Sequence, residues 1–474
     1  MNPRPSALLP DIDGCISALS AALDGNGLYT KREDLVRYET GARYGVGRAA
    51  FVMRPTSTAE VAAALKICAR HHVTVVPQGA NTGLVGASTP DESGQQAVLS
   101  FERTASTLQL NHINRSIEVS AGVSLSKLND TLESYGLWFP VDLGADPTVG
   151  GMIATNTGGT RFIRYGDVRR NVLGLEVVLH DGTVLNCMDQ VRKNNTGLDA
   201  KQLFIGTSGR FGIVTRAILE VHPLPQNTAT ALIVPSSPAG ALDILVDLEE
   251  HFGPQLTSFE GISRTALSVV LQGVPQLRNP FLKEELPPYS LLVEVSTWNK
   301  DGGGNLTVDQ ALERELERAF EAGKIENAFT QDAANLWSIR HHISDSLKLK
   351  GKVIALDVSV PRDRFVQFRD EACEEVKRLA DFVLIADFGH LGDGGVHFNM
   401  IWPHEIPSDA ELVERLRTAV YDLVAGHGGS FSAEHGVGPF NAHYYKRYVP
   451  SAKQTVEHLV SEALAAGSLG SKLS

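Results

Sequence analysis

An Asp-Gly pair between two apolar runs predicts a β-hairpin in the last quarter of the chain. The stretch reads FGHLGDGGVHFN, and Asp-Gly is typical of type I′ turns, in which both central residues have positive φ. With Asp393 and Gly394 at the tip, His390 lies opposite His397, and directly opposite side chains share a face with Cβ atoms about 4.5–5.5 Å apart. Two imidazoles so placed can bind one divalent metal. The alternative is a hairpin with two surface histidines; Asn399 shares the face of His397 in either case.

A carboxylate and an imidazole stand side by side further along the chain. The segment is SAEHGVG, and the two residues are Glu434 and His435. Two histidines and one carboxylate leave coordination positions open, which is typical of catalytic rather than structural metal sites. The glycines allow a tight bend, so one residue of the pair can bind a metal while its neighbour acts as a base. The alternative is a glycine loop that exposes the pair to solvent.

Composition limits the classes of protein to consider. With 474 residues, the chain is expected to form two or three domains. A net charge of −12 argues against nucleic-acid partners and anionic membrane surfaces, and a carboxylate substrate would need local cations. The four cysteines have no CxxC spacing, which is typical of reduced thiols in the cytosol. The sequence shows no secretory signal and no apolar run of about 18 residues, so we expect a cytoplasmic protein without a transmembrane segment.

Three tracts rich in glycine and other small residues lie near the ends of predicted strands. They occupy residues 78–88, 142–159 and 204–215. Glycines let backbone N–H groups converge on phosphate oxygens and allow close approach to a flat ligand. None of the tracts matches a Rossmann fingerprint or a Walker loop, and a plain turn is the alternative for the first tract taken alone. Together the tracts predict one extended cofactor that contacts all three.

Six motifs in a fixed order resemble the FAD-linked oxidoreductases of the vanillyl-alcohol-oxidase type. They are PQGANTGLVGAS, GADPTVGGMIATNTGGTRFIRYG, LGLEVVLHDGTVLN, RKNNTGLDAKQLFIGTSGRFGIVT, GHLGDGGVHFN and SAEHGVG. The likeness covers residues 35–450. It is to the branch of D-2-hydroxyglutarate and D-lactate dehydrogenases, and most of all to the D-2-hydroxyglutarate dehydrogenases.

The resemblance implies an α+β fold with a bipartite FAD-binding domain of the PCMH type. An α+β substrate (cap) domain with an antiparallel sheet would follow, and then a C-terminal helical segment that returns to the flavin. The expected bounds are 1–46 for an N-terminal helical lead-in, 47–225 for the FAD domain, 226–425 for the substrate domain and 426–474 for the C-terminal segment.

The resemblance also implies which residues contact the FAD. The flavin should be non-covalent, because the first tract lacks the histidine that tethers FAD in other members. The expected contacts are Gln78, Gly79, Ala80, Asn81, Thr82, Gly83, Leu84, Gly86, Ala87 and Ser88 in the first tract, Gly144, Thr148, Gly151, Thr155, Asn156 and Gly158 in the second, and Gly209, Gly212, Ile213 and Val214 in the third.

A predicted helix carries the residues that the resemblance assigns to the substrate carboxylate. Arg340 and Ser344 lie four residues apart and share a helix face, and a guanidinium binds a carboxylate through two hydrogen bonds. A solvated arginine is the alternative. Asn399 would orient the acid together with Arg340. Ala355 stands where the hydroxyglutarate enzymes carry a lysine, which favours D-lactate or another monoacid as the alternative substrate.

We predict that the metal is held by His390, His397 and Glu434. Zinc is expected, because mixed imidazole and carboxylate ligands suit it, with manganese or cobalt as substitutes. His435 would accept the hydroxyl proton of a D-2-hydroxy acid while a hydride leaves C2 for flavin N5. The alternatives are a metallohydrolase built on the same ligands and a flavoprotein subunit that only relays electrons.

The resemblance also suggests partners, and the chain departs from the family at two further points. The electron acceptor would be an electron-transfer flavoprotein or a quinone, and a homodimer is a candidate assembly. The third tract reads Thr-Ser-Gly-Arg at 207–210 where the family has Ser-Glu-Gly-Thr. The chain also ends in GSLGSKLS rather than in the family's Asn-Pro-Gly-Lys segment.

Overall fold

The structure is a computed structural model that describes residues 9–282, 284–298 and 306–464. Its described residues form two compact units. The first unit is formed by the described residues of Met1–Thr157, Asp167–Pro223 and His435–Ser474. The second unit is formed by those of Gly158–Gly166 and Leu224–Glu434. The atypical C-terminal sequence from residue 467 onward lies outside the described residues.

Helices and strands occur in both units, in agreement with the predicted α+β class. The helices are α1 (Ile12–Ala22), α2 (Arg32–Leu35), α3 (Thr58–Arg70), α4 (Leu125–Glu133), α5 (Val149–Thr155), α6 (Phe162–Tyr165), α7 (Val168–Asn171), α8 (Ala241–Phe252), α9 (Arg264–Gly273), α10 (Val308–Glu321), α11 (Ala333–Leu347), α12 (Phe365–Leu379), α13 (Ala410–Gly426), α14 (Ala442–Tyr448) and α15 (Ser451–Ala463). The strands are β1 (Leu28–Tyr29), β2 (Ala49–Met53), β3 (Val75–Gln78), β4 (Gln96–Ser100), β5 (Leu108–Asn111), β6 (Ser116–Ser120), β7 (Leu137–Trp138), β8 (Val172–Val178), β9 (Val184–Cys187), β10 (Ile213–Glu220), β11 (His222–Pro223), β12 (Asn227–Pro235), β13 (Leu256–Ser263), β14 (Tyr289–Thr297), β15 (Ile325–Phe329), β16 (Gly351–Ser359), β17 (Leu384–Gly389) and β18 (Gly395–Pro403).

The first unit contains two main sheets, each with its own core. One has the order β1-β2-β4-β3, in which β4 runs parallel to both β2 and β3. The other has the order β5-β6-β10-β8-β9 and is antiparallel. Helix α3 follows β2 and buries Val61, Leu65 and Cys68 in the core of the first sheet. Strand β3 ends in the first glycine-rich tract, and β10 begins in the third. The two sheets therefore position loops that we expect to bind the cofactor.

A buried carboxylate lies in the core of the first unit, and we expect it to stabilise the fold. Glu176 accepts hydrogen bonds from Arg216 at 2.7 Å and from the hydroxyls of Thr58 and Thr215 at 2.5 and 2.9 Å. Burial alone would raise the pKa of Glu176, but these donors lower it to about 2. Because the pKa in the folded state lies below its unfolded value, the stabilisation is present above pH 4.5 and is lost as the pH falls toward 2.

Replacing this carboxylate by an amide should therefore destabilise the protein in a pH-dependent way. We expect Glu176→Gln to lower the free energy of unfolding at pH 7 by about 1.5–3 kcal/mol, the value of a hydrogen bond to a charged group. The difference from wild type should shrink toward pH 2 in urea titrations. Glu92→Gln, at an exposed glutamate, is the control, and parallel pH profiles for Glu176→Gln and wild type would contradict the assignment.

The second unit is built on a seven-stranded sheet with the order β15-β12-β14-β13-β17-β18-β16. Every paired neighbour is antiparallel, as predicted for the substrate domain. Helices α9 and α11 cover one face, where Val270 and Leu336 pack with Ile262, Leu292 and Phe388 of the sheet. This face carries every second residue of β13, β17 and β18, and it is the face from which the candidate site projects.

The predicted hairpin is present, but its turn differs from the prediction. A short 3₁₀ helix at Leu391–Asp393 separates β17 from β18, and Gly394 alone of the two expected tip residues has positive φ, at +86°. His397 therefore lies opposite Phe388 rather than opposite His390. The two-residue type I′ turn was wrong because Leu391 is buried and because the Asp393 carboxylate accepts the Gly395 N–H at 2.8 Å. Both contacts favour a longer loop, and His390 lies in that loop.

Candidate active site

The three glycine-rich tracts meet within the first unit. Gly79 of the first tract lies against Thr148 of the second, and a Cβ at position 79 would come within 2.3 Å of the Thr148 hydroxyl oxygen. The backbone N–H of Ser208, in the third tract, donates to the Ala154 carbonyl at 2.7 Å. Ser208 has a left-handed φ of +51°, an unfavourable conformation that is concentrated at functional sites.

The first tract leaves its backbone donors available. Its side chains hold the loop in shape: Gln78 donates to the carbonyls of Tyr38 and Ser88, and Asn81 donates to that of Thr40. The Ser88 hydroxyl donates to the Asn81 side chain. Within the described part of the chain, no backbone N–H of residues 79–88 donates a hydrogen bond. A run of unpaired N–H groups in a mostly half-buried loop suits the phosphate oxygens of a dinucleotide.

The remaining predicted cofactor residues belong to the first unit, with one exception. Thr148 is the N-cap of α5, and its hydroxyl accepts the Gly151 N–H. Asn156 is the C-cap of α5 and has a φ of +53°. Gly212 precedes β10, whose first residues are Ile213 and Val214. The exception is Gly158, which belongs to the second unit. A Cβ at Gly158 would lie 3.1 Å from a carboxylate oxygen of Glu434, so this residue lies next to one of the predicted metal ligands.

Those three ligands come together in the second unit. The rings of His390 and His397 lie with centroids 5.2 Å apart and nearly perpendicular. The Nε2 atoms lie 3.3 Å and 3.5 Å from the same oxygen of Glu434. The other Glu434 oxygen accepts the backbone N–H of Gly159 at 3.3 Å. Two imidazole nitrogens therefore approach one carboxylate oxygen.

A second carboxylate lies behind each histidine. The Nδ1 of His390 lies 2.7 Å from Glu260, and the Nδ1 of His397 lies 3.5 Å from Asp357. Asp357 also accepts the backbone N–H of Glu434 at 2.9 Å. Carboxylates in this position favour the histidine tautomer that carries its proton on Nδ1. The lone pair of Nε2 is then available to coordinate a metal.

The charges around the histidines favour a cation. Burial alone would raise the pKa of Glu434, but His390 and His397 lower it to about 2. Burial would also lower the pKa of His390, but Glu260 and Glu434 raise it well above its ordinary value. Burial is the main reason that the pKa of His397 is lowered. The two glutamates thus stabilise positive charge at this point, which is the charge that a divalent metal would supply.

The donor set fits a divalent metal. Asp357, His397 and Glu434 offer ligand atoms within 4.8 Å of one another, and His390 adds a second imidazole. Imidazole with carboxylate suits zinc and other divalent transition metals and leaves positions open. Glu260 and Asp357 were not predicted as site residues from the sequence. The available signal was a single acidic residue inside each of the otherwise uncharged runs LTSFEGIS and VIALDVSV.

The predicted substrate residues lie on α11 and β18 of the same unit. The Arg340 guanidinium is buried; its Nε donates to Glu260 at 2.5 Å, and its Cζ lies 4.7 Å from the Phe388 ring centroid. Ser344 is exposed one turn further along α11. Asn399 is buried on the face of His397 and donates to the carbonyl of that residue at 3.0 Å.

The predicted base, His435, is next to the predicted metal ligand Glu434 in the chain. His435 directly follows Glu434 and is half-buried. One trans peptide bond separates their Cα atoms by about 3.8 Å. An imidazole at this position is therefore tied by the backbone to the carboxylate on which both other histidines converge.

Comparison with known proteins identifies the family. Residues 49–188 match the FAD binding domain family, and residues 224–458 match the family described as FAD linked oxidases, C-terminal domain. A probable mitochondrial D-2-hydroxyglutarate dehydrogenase of Oryza sativa subsp. indica is 35% identical over 411 residues, which cover 84% of this chain and 71% of the relative. A putative mitochondrial D-lactate dehydrogenase of Schizosaccharomyces pombe is 33% identical over 412 residues, covering 83% and 75%.

A solved structure shows the same fold. Alkyldihydroxyacetonephosphate synthase superposes with a TM-score of 0.73 at 16% identity, covering 100% of this chain and 88% of that one. At this identity the likeness concerns the fold alone.

The names of these relatives correct one expectation from the sequence. The prediction of a cytoplasmic location was wrong, because the relatives of known location are named as mitochondrial. Among the described residues, no helix is both long enough and apolar enough to cross a bilayer. With its FAD domain, its antiparallel sheet domain and these relatives, the chain belongs to the FAD-linked oxidoreductases of the vanillyl-alcohol-oxidase type, in the branch of the D-2-hydroxyglutarate and D-lactate dehydrogenases.

Proposed function

We propose that the protein is an FAD- and metal-dependent dehydrogenase that oxidises a D-2-hydroxy acid to the 2-oxo acid, with D-2-hydroxyglutarate as the favoured substrate. The observation that carries the proposal is the approach of two imidazole Nε2 atoms, at 3.3 and 3.5 Å, to one oxygen of Glu434. The family supplies the substrate class, because two relatives at 35% identity are named probable D-2-hydroxyglutarate dehydrogenases.

His390, His397 and Glu434 would hold the metal, with zinc expected from the donor types. A divalent ion supplies a lowered pKa for a coordinated hydroxyl, as it does for bound water. The carboxylates behind the two imidazoles keep both rings oriented. The Gly159 N–H restrains the second oxygen of Glu434.

The other residues bind the acid and move its proton. Arg340 would pair with a substrate carboxylate through guanidinium edges other than the Nε that Glu260 occupies. Ser344, one helical turn away, would add a hydroxyl. Asn399 would orient the acid from the face of His397. His435 would accept the hydroxyl proton, because histidine is the side chain that most often serves as a general base.

FAD would bind non-covalently, with its phosphates at the backbone N–H groups of residues 79–88. Bound FAD would supply the acceptor for the C2 hydride. The electrons would then pass to an electron-transfer flavoprotein or a quinone. A homodimer is one candidate assembly.

A monoacid such as D-lactate is the second candidate substrate. Ala355 lies directly opposite Asn399 in the pairing of β16 with β18, so the two residues share a sheet face. A methyl group at this position offers no charge to a second carboxylate. The Schizosaccharomyces pombe relative is named a putative D-lactate dehydrogenase, in keeping with a smaller acid.

An anaerobic panel of D- and L-2-hydroxy acids tests the proposal. We expect the purified protein to be yellow and its flavin absorbance to bleach with a D-2-hydroxy acid but not with the L enantiomer. D-2-hydroxyglutarate should give the highest second-order rate of reduction; faster bleaching by D-lactate would favour the second candidate. A colourless protein would indicate a metallohydrolase, and a yellow protein that no hydroxy acid bleaches would indicate an electron relay.

A further inference from the structure

One buried carboxylate joins the predicted metal site to the predicted substrate arginine. Glu260 lies on β13 with 1% of its surface exposed. One of its oxygens lies 2.7 Å from Nδ1 of His390, and the other lies 2.5 Å from Nε of Arg340. Both oxygens of the same side chain are therefore used, one on each functional group.

These contacts restrict the orientation of both partners. The Nδ1 contact fixes the plane of the His390 ring, and with it the direction of Nε2. The Nε contact fixes the plane of the guanidinium, which also packs on the ring of Phe388, two residues before His390 in the chain. A rotation of the Glu260 carboxylate would disturb both contacts together, because its two oxygens are rigidly linked.

The strand geometry explains why this residue makes both contacts. β13 pairs with β17 through Gly261 opposite Gly389 and Ile262 opposite Phe388. Glu260 shares a sheet face with Ile262, and Ile262 belongs to the core that α11 covers. The side chain therefore projects between the end of β17, where His390 follows, and α11, where Arg340 lies.

We propose that Glu260 is a positioning residue that couples metal binding to substrate binding. The inference rests on the proposed function, because it takes His390 as a metal ligand and Arg340 as the carboxylate ligand. An interaction that links two sites acts in both directions. Loss of the Glu260 carboxylate should therefore weaken the metal and the acid together.

Asp357 provides a matched comparison within the same sheet. It too is a buried carboxylate behind a predicted metal ligand, 3.5 Å from Nδ1 of His397. Its second oxygen accepts the backbone N–H of Glu434, so these two contacts of Asp357 are with predicted metal ligands rather than with Arg340. Asp357→Asn should affect mainly the metal, whereas Glu260→Gln should affect both the metal and the acid.

The experiment measures two constants on each flavin-loaded variant. The dissociation constant for Zn²⁺ alone is obtained by competition with a chromophoric chelator, and the KM for D-2-hydroxyglutarate is obtained at saturating Zn²⁺. For Glu260→Gln we expect Zn²⁺ binding weaker by about 10–100-fold and KM higher by roughly tenfold, the loss of one hydrogen bond to a charged group. For Asp357→Asn we expect a similar loss of Zn²⁺ affinity but a smaller rise in KM than for Glu260→Gln, because its contacts with His397 and Glu434 do not involve Arg340.

Several outcomes would overturn the coupling. One is a folded, yellow Glu260→Gln protein with both constants within twofold of wild type; another is a change in only one of them. If the amide variant does not fold, Glu260→Asp keeps the buried charge on a shorter side chain that cannot maintain both contacts. Both constants should then shift in the same direction, and unchanged constants refute the proposal. Failure of the proposed function looks different, because wild type itself would then bind no Zn²⁺ or show no reduction by any hydroxy acid.

Discussion

His435→Ala should stay yellow and keep its metal, yet reduce its flavin far more slowly with a D-2-hydroxy acid. We expect the rate of anaerobic flavin reduction to fall by about 10²–10⁴-fold, the usual contribution of a general base. The reason is a division of roles between neighbours in the chain. Glu434 is engaged with both His390 and His397, and we propose that the imidazole of the next residue takes the proton. Stopped-flow absorbance of the flavin band measures the rate directly.

The control separates a lost base from a damaged fold. His404→Ala removes an exposed histidine of the second unit and should reduce at the wild-type rate. Flavin content and bound metal should equal those of wild type in both variants. Rapid reduction of His435→Ala would reject the base assignment, and loss of bound metal from this variant would show instead that His435 is a ligand.

Removal of the metal should abolish substrate-dependent reduction while leaving the flavin in place. Treatment of wild type with a strong chelator removes an ion that the three predicted ligands hold, and the hydroxyl then loses the charge that lowers its pKa, a contribution of several kcal/mol to the barrier. Addition of Zn²⁺, Mn²⁺ or Co²⁺ should restore reduction to differing degrees. Elemental analysis before and after chelation, paired with anaerobic bleaching, gives the measurement.

His397→Ala serves as the matched variant for chelation. It removes one imidazole that approaches Glu434 but leaves Arg340 and its contact with Glu260 intact. We expect it to lack bound metal and to stay inactive after Zn²⁺ is added, whereas chelated wild type recovers. Full activity of metal-free wild type would refute the metal site altogether.

The side chains that converge on Glu434 could be singled out from the sequence because their signals are local. His390 and His397 flank one short loop, and Glu434 and His435 are adjacent. The exact pairing could not be predicted, since the Asp-Gly signal identifies a turn but not its length. A loop longer by one short helix placed Phe388 opposite His397, and the two imidazoles still met because the loop folds back.

Glu260 could not be found in the same way. It lies 130 residues before His390 in the chain, and the two are close only because β13 pairs with β17 in the seven-stranded sheet. Strand order depends on which long-range pairings bury the most apolar surface. No local pattern in a single sequence reveals that order. Asp357 was hidden for the same reason, because its contact with His397 depends on the pairing of β16 with β18.

The loop at residues 79–88 has a consequence for how this family varies. Its unpaired donors belong to the main chain, which every amino acid except proline provides. Substitutions of the other side chains in this loop should therefore be tolerated as long as the hydrogen bonds of Gln78, Asn81 and Ser88 maintain its conformation. A proline introduced there would remove a donor outright, so imino-acid substitutions should be the rarest changes at these positions across distant members.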